Sequence, residues 1–474
     1  MRAHLGIDLG TSGLKALVLA GDGAVVAEAE CAYDLDSPRA GWAEIDPAVW
    51  ERALWDATAQ LGDALAAVEL RSVGLSGQMH AAVLVDVEVR PVRPAILWPD
   101  TRAVDVLDAW RALPDAALAA LASPIVAGMT GPALRWVADH EPDTFGRAAT
   151  VLGAKDLLRH RLVPVVATER SDACATLLWD VPAERWSAPA LAAAQLPDAM
   201  LPPLVAPDAV VGVTDALARR SPGVTSGVPV AAGGADTPLA LAAVRAIDGP
   251  DPAGVVNLGT GAQVLVPDVR ADHVPPTGGH VYADTADGWY AMAALRNGGL
   301  ALEWARTVLG RPWRDFIDAA AASPAGARGV TFHPFLGGER GGVASPTSTG
   351  AWTGLTPDCG PPELARAAIE GVVFAVAHVV AANVPPGPLR LGGGLGREPL
   401  VHTLLATITG RAVQRVELRS ASAVGAALLG ARAVGDRVTP RAALDDVSPL
   451  DGAPAAVVQA AYERWTDRLA AAER

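Results

Sequence analysis

Lysine is almost missing from this chain. Of its 38 basic Lys and Arg residues, only Lys15 and Lys155 are lysines. That excludes a Walker phosphate loop, which needs a Gly-Lys pair: Lys15 follows Leu14 and Lys155 follows Ala154. No Gly-x-Gly-x-x-Gly stands between a strand and a helix either. Cysteine is nearly as scarce. Cys31, Cys174 and Cys359 are far apart and odd in number, with no metal-ligand spacing, so neither a disulfide framework nor a zinc site is indicated. Positive charge is also in deficit. The net charge of −14 argues against a broad nucleic-acid surface, so any phosphate site must be local. The uncharged run from Ala116 to Leu134 is broken by Pro124, Gly128, Gly131 and Pro132, which makes a poor membrane span. The first strand begins within four residues, with no room for a signal peptide. A cytoplasmic protein without membrane or nucleic-acid partners is expected.

What is present is organised around Ile7-Asp8-Leu9-Gly10-Thr11-Ser12-Gly13-Leu14-Lys15. Two apolar runs flank a short glycine-containing turn, the pattern of a β-hairpin. Glycine allows close backbone approach, and successive N–H groups in such a turn form an anion-binding concavity. Asp8 at the strand end suits Mg²⁺, which is usually held by one or two carboxylates plus phosphate oxygens. Lys15 suits phosphate charge; where arginine is the default cation, a lysine is a chosen point charge. A plain hairpin with a polar tip is the alternative. The second half repeats the pattern. Val255-Val256-Asn257-Leu258-Gly259-Thr260-Gly261-Ala262 has the same apolar run and Leu-Gly-Thr, 249 positions later in a chain of 474 residues. Such self-similarity dictates architecture. Two related lobes around one nucleotide are expected.

Strand and helix patterns alternate in both halves, so each lobe is α/β. Asp248-Gly249-Pro250-Asp251-Pro252 is the best boundary, giving domains 1–249 and 250–474. Asp46-Pro47 opens a helix whose apolar positions run from Val49 to Val68. Asp236 follows small residues at a strand end, where open α/β sheets place ligands. A carboxylate there suits a general base; a helix N-cap is the bland alternative. Met79-His80 ends another strand, as ligand or structural hydrogen-bonder. Gly392-Gly393-Gly394 offers either a flat surface for an adenosine or simple turn glycines. Trp98 and Trp352 are expected in the core rather than stacked on substrate.

Together these segments resemble the FGGY carbohydrate kinases, and within them the branch acting on D-xylulose. The resemblance rests on Ile7–Lys15, Ser76–His80, Arg93–Trp98, Gly233–Asp236, Leu258–Gly261, Phe335–Arg340, Gly350–Leu355 with Glu363–Glu370, and Gly392–Gly394. It implies two actin-like (ribonuclease H-like) ATPase domains with a catalytic cleft between them. It implies transfer of the ATP γ-phosphate to the 5-hydroxyl of D-xylulose. Asp236 would be the base and Asp8 would help hold Mg²⁺. Thr11, Ser12, Lys15, Gly259, Thr260 and Gly261 would line the phosphates, Gly393 and Gly394 the adenosine. Met79, His80 and Asp236 would contact the sugar. A homodimer is left open. Four departures stand out, three of them where substrate or lobe contacts are expected. Thr237 replaces the usual Asn after the base, Pro99 replaces Asn near Trp98, Gly131–Trp136 lacks the expected lysine, with Ala133 in its midst, and Gly341-Gly342 replaces Thr-Pro. Another ketopentose or a polyol is therefore an alternative substrate, and an actin-like ATP switch is an alternative class.

Overall fold

In the computed structural model, residues 1–221, 223–276 and 278–472 are described. The main strands are β1 (Arg2–Leu9), β2 (Gly13–Ala20), β3 (Val25–Ala32), β4 (Glu69–Gly77), β5 (Val210–Val213), β6 (Pro229–Ala231) and β7 (Gly234–Ala235) in the first half. In the second half they are β8 (Gly254–Leu258), β9 (Ala262–Val269), β10 (His280–Ala283), β11 (Trp289–Leu295), β12 (Leu389–Gly392), β13 (Val413–Glu417) and β14 (Ala443–Val447). The helices that matter below are α1 (Pro47–Gln60), α2 (Ala154–Leu162), α3 (Asp236–Arg245), α4 (Gly299–Val308), α5 (Pro361–Asn383) and α6 (Ala421–Ala433).

Each half builds a seven-stranded sheet. The first runs β5-β6-β4-β1-β2-β3, with β7 also pairing β4. The second runs β10-β11-β9-β8-β12-β13-β14. Aligned on their hairpins, the sheets match along six strands. In each, the hairpin's first strand pairs antiparallel with its second and parallel with a later strand. That strand pairs parallel with another, whose far neighbour is antiparallel. The repeat seen in two hairpins therefore extends through six strands. β1 is central and buried along nearly its whole length, which explains its unbroken apolar run.

Local chemistry sets the element ends. The Asp46 side chain accepts from the Ala48 N–H at 2.9 Å and caps α1, with Pro47 in its first turn. The helix stops at Leu61 rather than running to Val68; a separate short helix, Gly62–Ala66, follows. Apolar spacing carries through the break because both pieces bury the same side. α5 is long and apolar enough to cross a membrane, but its side chains are mostly buried in the second core.

The halves are locked through α6. Although it lies between β13 and β14 of the second sheet in sequence, it packs on the first. A Cβ on Gly6 of β1 would overlap the Ala423 carbonyl oxygen, and one on Gly74 of β4 the Ala426 oxygen. Gly425 of α6 in turn meets the Leu239 oxygen of α3. Helix and sheet thus touch backbone to backbone, which only glycine permits. A Gly74→Ala protein is expected to lose about 1–3 kcal/mol through overpacking, read as a lower urea midpoint at unchanged slope.

Candidate functional site

The first hairpin pairs Leu9 with Leu14 and Asp8 with Lys15. Its tip closes by a Gly10 N–H bond to the Gly13 oxygen at 3.0 Å. Among the described residues, nothing accepts from the Thr11 and Ser12 N–H groups. The second tip closes the same way, Gly259 N–H to Gly261 O at 2.9 Å. There the N–H groups of Gly299 and Leu300 at the start of α4 bond the Gly259 and Thr260 oxygens at 2.9 and 2.8 Å. Their carbonyls tied down, both tips present amide hydrogens, which suits an anion. Gly393, at φ +87°, backs the second hairpin so closely that a Cβ would overlap the Leu258 oxygen. Gly393 and Gly394 lie exposed beside it.

Asp8 ends β1 with its Oδ1 buried and without a hydrogen-bond partner. Burial raises its pKa, against a nearby Ser76 hydroxyl and the Lys15 charge. Asp236 is the first residue of α3, one past its N-cap Ala235, so it is not the N-cap; its Oδ1 accepts from the Thr237 N–H at 2.7 Å within the first helical turn. Burial first, and the Asp8 charge second, push its carboxyl up to about 7. The Thr237 hydroxyl, 3.3 Å from the same oxygen, opposes that rise. An orphaned carboxylate oxygen beside a second carboxyl that its charge discourages from ionising is a donor set that fits a divalent cation.

Met79 and His80 follow the end of β4. Met79 is buried; His80 is held at φ +69° with Nδ1 2.5 Å from the Ala175 oxygen. A carbonyl only accepts, so Nδ1 carries the proton. Burial pushes the imidazole down to about 4, leaving it neutral with Nε2 free to accept. Across from it stands Tyr282 of β10, its ring centroid 6.0 Å away and its hydroxyl 2.7 Å from His280 Nδ1. β10 is stitched to the first half: Val281 N–H bonds the Ala122 oxygen at 2.8 Å, and Ala283 N–H the Cys174 sulfur at 3.4 Å. Sequence reasoning missed His280 and Tyr282, because nothing local says which edge strand will meet His80.

The two lysines stand in opposite settings. Lys15 lies half-exposed on β2, 3.7 Å from Glu30. Lys155 is fully buried at the start of α2, with Nζ 2.7 Å from Asp156, 3.1 Å from Asp172 and 3.7 Å from Glu169. Arg159 joins it, donating to Asp156 and the Ala232 oxygen, both at 2.8 Å. Glu169 accepts from Ser171 Oγ, which in turn takes the Ala235 N–H at 3.0 Å. This cluster thus grips both sides of the turn that delivers Asp236. Gly233 within that turn, at φ +99°, has no room for a Cβ between the Leu75 oxygen and the Lys155 stem.

Two further expectations need revision or reason. Trp98 is not core: it is 40% exposed, and its indole N–H donates to Thr11 Oγ1 at 2.9 Å. That bond holds the ring against the hairpin instead of inside the fold. Trp352 does pack inward, stacked on Trp304 at 5.3 Å. The Gly341-Gly342 departure also has a cause. Both residues sit near φ +72°, where proline cannot go. Glu339 beside them is buried and accepts from the N–H groups of Arg296, Asn297 and Arg340, fixing this loop to the turn before α4.

Comparison with known proteins gives a consistent result. Residues 3–243 match the N-terminal domain of the FGGY family of carbohydrate kinases, and residues 254–434 its C-terminal domain. The chain is 32% identical to the xylulose kinase of Escherichia coli (strain K12) over 452 residues, 94% of this chain and 92% of that protein. It is 32% identical to the xylulose kinase of Klebsiella pneumoniae, with 90% and 89% covered. The crystal structure of a "xyloylose kinase" from Brucella ovis superposes with a TM-score of 0.89, 30% identity and 99% of both chains covered.

Proposed function

The chain belongs to the FGGY family of carbohydrate kinases, and from that premise we propose that it transfers the γ-phosphate of ATP to the 5-hydroxyl of D-xylulose, giving D-xylulose 5-phosphate and ADP. The alternative of a nucleotide switch without sugar chemistry falls with that membership. The observation that carries the reading is the Asp236 carboxyl, half-buried at a strand-to-helix junction and raised to about 7. A base poised near working pH takes the proton of an attacking hydroxyl most effectively.

Each neighbour has a part. Met79 and neutral His80 hold the sugar, Nε2 accepting a hydroxyl. Thr11 and Ser12 of the first hairpin, and Thr260 and Gly261 of the second, offer their amides to the ATP phosphates, with Gly259 shaping the second tip and Lys15 adding charge. Gly393 and Gly394 give the adenosine side a surface without side chains. Asp8 would hold Mg²⁺, which when bound neutralises phosphate charge. Phosphoryl transfer needs positioning and charge balance more than covalent chemistry, and this arrangement supplies both.

Coupled ADP release over a panel of ketopentoses, polyols and aldoses tests the reading. D-xylulose should lead by at least about tenfold in kcat/KM, about 1.4 kcal/mol of transition-state binding. A second reading, a different ketopentose or polyol, is favoured by Thr237, whose hydroxyl turns to Asp236 where the family's Asn is absent. In that case another sugar leads the panel.

A pH dependence follows. Asp236 acts only when ionised, so kcat/KM should fall about tenfold per pH unit below about 7 and level off above it. The opposite sign applies to stability: a carboxyl raised in the fold favours the native state progressively as pH falls from about 7 towards the usual carboxylate range.

A further inference from the structure

Resting on that reading of the sugar and phosphate positions, we propose that Trp98, Thr11 and Gln78 form a positioning relay through which an occupied sugar pocket fixes the first phosphate hairpin.

The hydrogen bonds define the relay. Trp98 Nε1 donates to Thr11 Oγ1 at 2.9 Å, and Thr11 Oγ1 donates to Gln78 Oε1 at 3.2 Å. Gln78 Nε2 donates to the Gly10 oxygen at 3.1 Å, which also takes the Tyr33 hydroxyl at 2.7 Å. The directions follow from chemistry. A carbonyl only accepts, so the Gln78 nitrogen must face Gly10 and its oxygen must face Thr11. A threonine hydroxyl has one proton, and this one is committed to Gln78. Thr11 therefore meets phosphate through its backbone amide, while its side chain serves as a joint.

The placement of the ends gives the relay its use. Gln78 is 3% exposed and immediately precedes Met79-His80. Its own N–H is anchored to the Leu9 oxygen at 2.8 Å, beside Asp8. Trp98 is the opposite: a large apolar ring left open, with only its N–H engaged. A sugar that covers the ring or shifts residues 78–80 moves partners that grip both Gly10 and Thr11. Thr11 and the next residue, Ser12, carry the amides of the first tip that nothing accepts from among the described residues. Coupling through a contiguous hydrogen-bonded network of this kind is a binding free energy shared between two sites.

The test is the affinity of a non-hydrolysable ATP analogue with Mg²⁺, measured calorimetrically with and without the sugar that leads the panel. In the unaltered enzyme the sugar should tighten nucleotide binding by at least about fivefold. Trp98→Phe keeps the ring and loses the N–H; Thr11→Val keeps the shape and loses the hydroxyl. Each should abolish the coupling, the pair together doing no more than either alone. Thr11→Ser, which retains the hydroxyl, should restore it. Coupling that survives in Trp98→Phe or Thr11→Val, or that is absent from the unaltered enzyme, overturns the relay. Sugar phosphorylation is scored separately, so an enzyme that turns over sugar yet shows no dependence on these variants refutes the relay alone. Loss of turnover on every sugar refutes the proposed function.

Discussion

Replacing Asp236 with asparagine is expected to lower kcat by about 10²–10⁴-fold while leaving the affinity for ATP nearly unchanged. Asparagine keeps the shape and can still accept from the Thr237 N–H, the contact that seats the side chain at the start of α3. What it loses is the ability to take a proton. The loss should fall on kcat and kcat/KM together, the signature of an interaction made in the transition state. Stability should move the other way. The ionised form is disfavoured by burial and by the Asp8 charge, so at pH 8 the neutral variant should melt no lower than the parent, and higher if anything. A variant that phosphorylates sugar at the parent rate would remove Asp236 from the chemistry.

The second large effect concerns Lys155. Its Nζ is the cation shared by Asp156, Glu169 and Asp172 in a site closed to solvent. Removing one partner of a buried ionic cluster strands the others, at a cost of about 3–5 kcal/mol. Lys155→Met should therefore sharply lower the urea midpoint. Because Arg159 and Glu169 hold the turn before Asp236, the surviving folded enzyme should also lose kcat. Lys15→Met is the matched control. Its half-exposed pair with Glu30 is worth at most about 1 kcal/mol, so stability should barely change while KM for ATP rises. Burial separates the two lysines, and sequence does not display burial.

That contrast shows what could be read from residue order. The two hairpins were legible because each is local: apolar run, glycine turn, apolar run, with register fixed by the turn. Asp236 was legible for the same reason, as a carboxylate at a strand end opening a small-residue helix. Lys155 was not, because its partners arrive from residues 169 and 172 across a fold that local spacing does not encode. Trp98 was misassigned since an indole is usually buried; a single hydrogen bond to Thr11 decides otherwise. The continuous apolar spacing from Val49 to Val68 hid the break at Leu61, because two helices burying one side look like one. Tyr282 and His280 were invisible until β10 lay against the first half.

The last of these non-local features is α6. The two sheets share one plan through six strands, yet a helix that stands between two strands of the second sheet in sequence covers the first. Its glycine-lined seat admits the helix backbone itself, while Leu17 and Leu19 of β2 pack on Val424 and Ala427 beside it. The first half therefore takes part of its cover from a helix encoded in the second, so residues 1–249 expressed alone would leave the faces of β1 and β4 around Gly6 and Gly74 open to water.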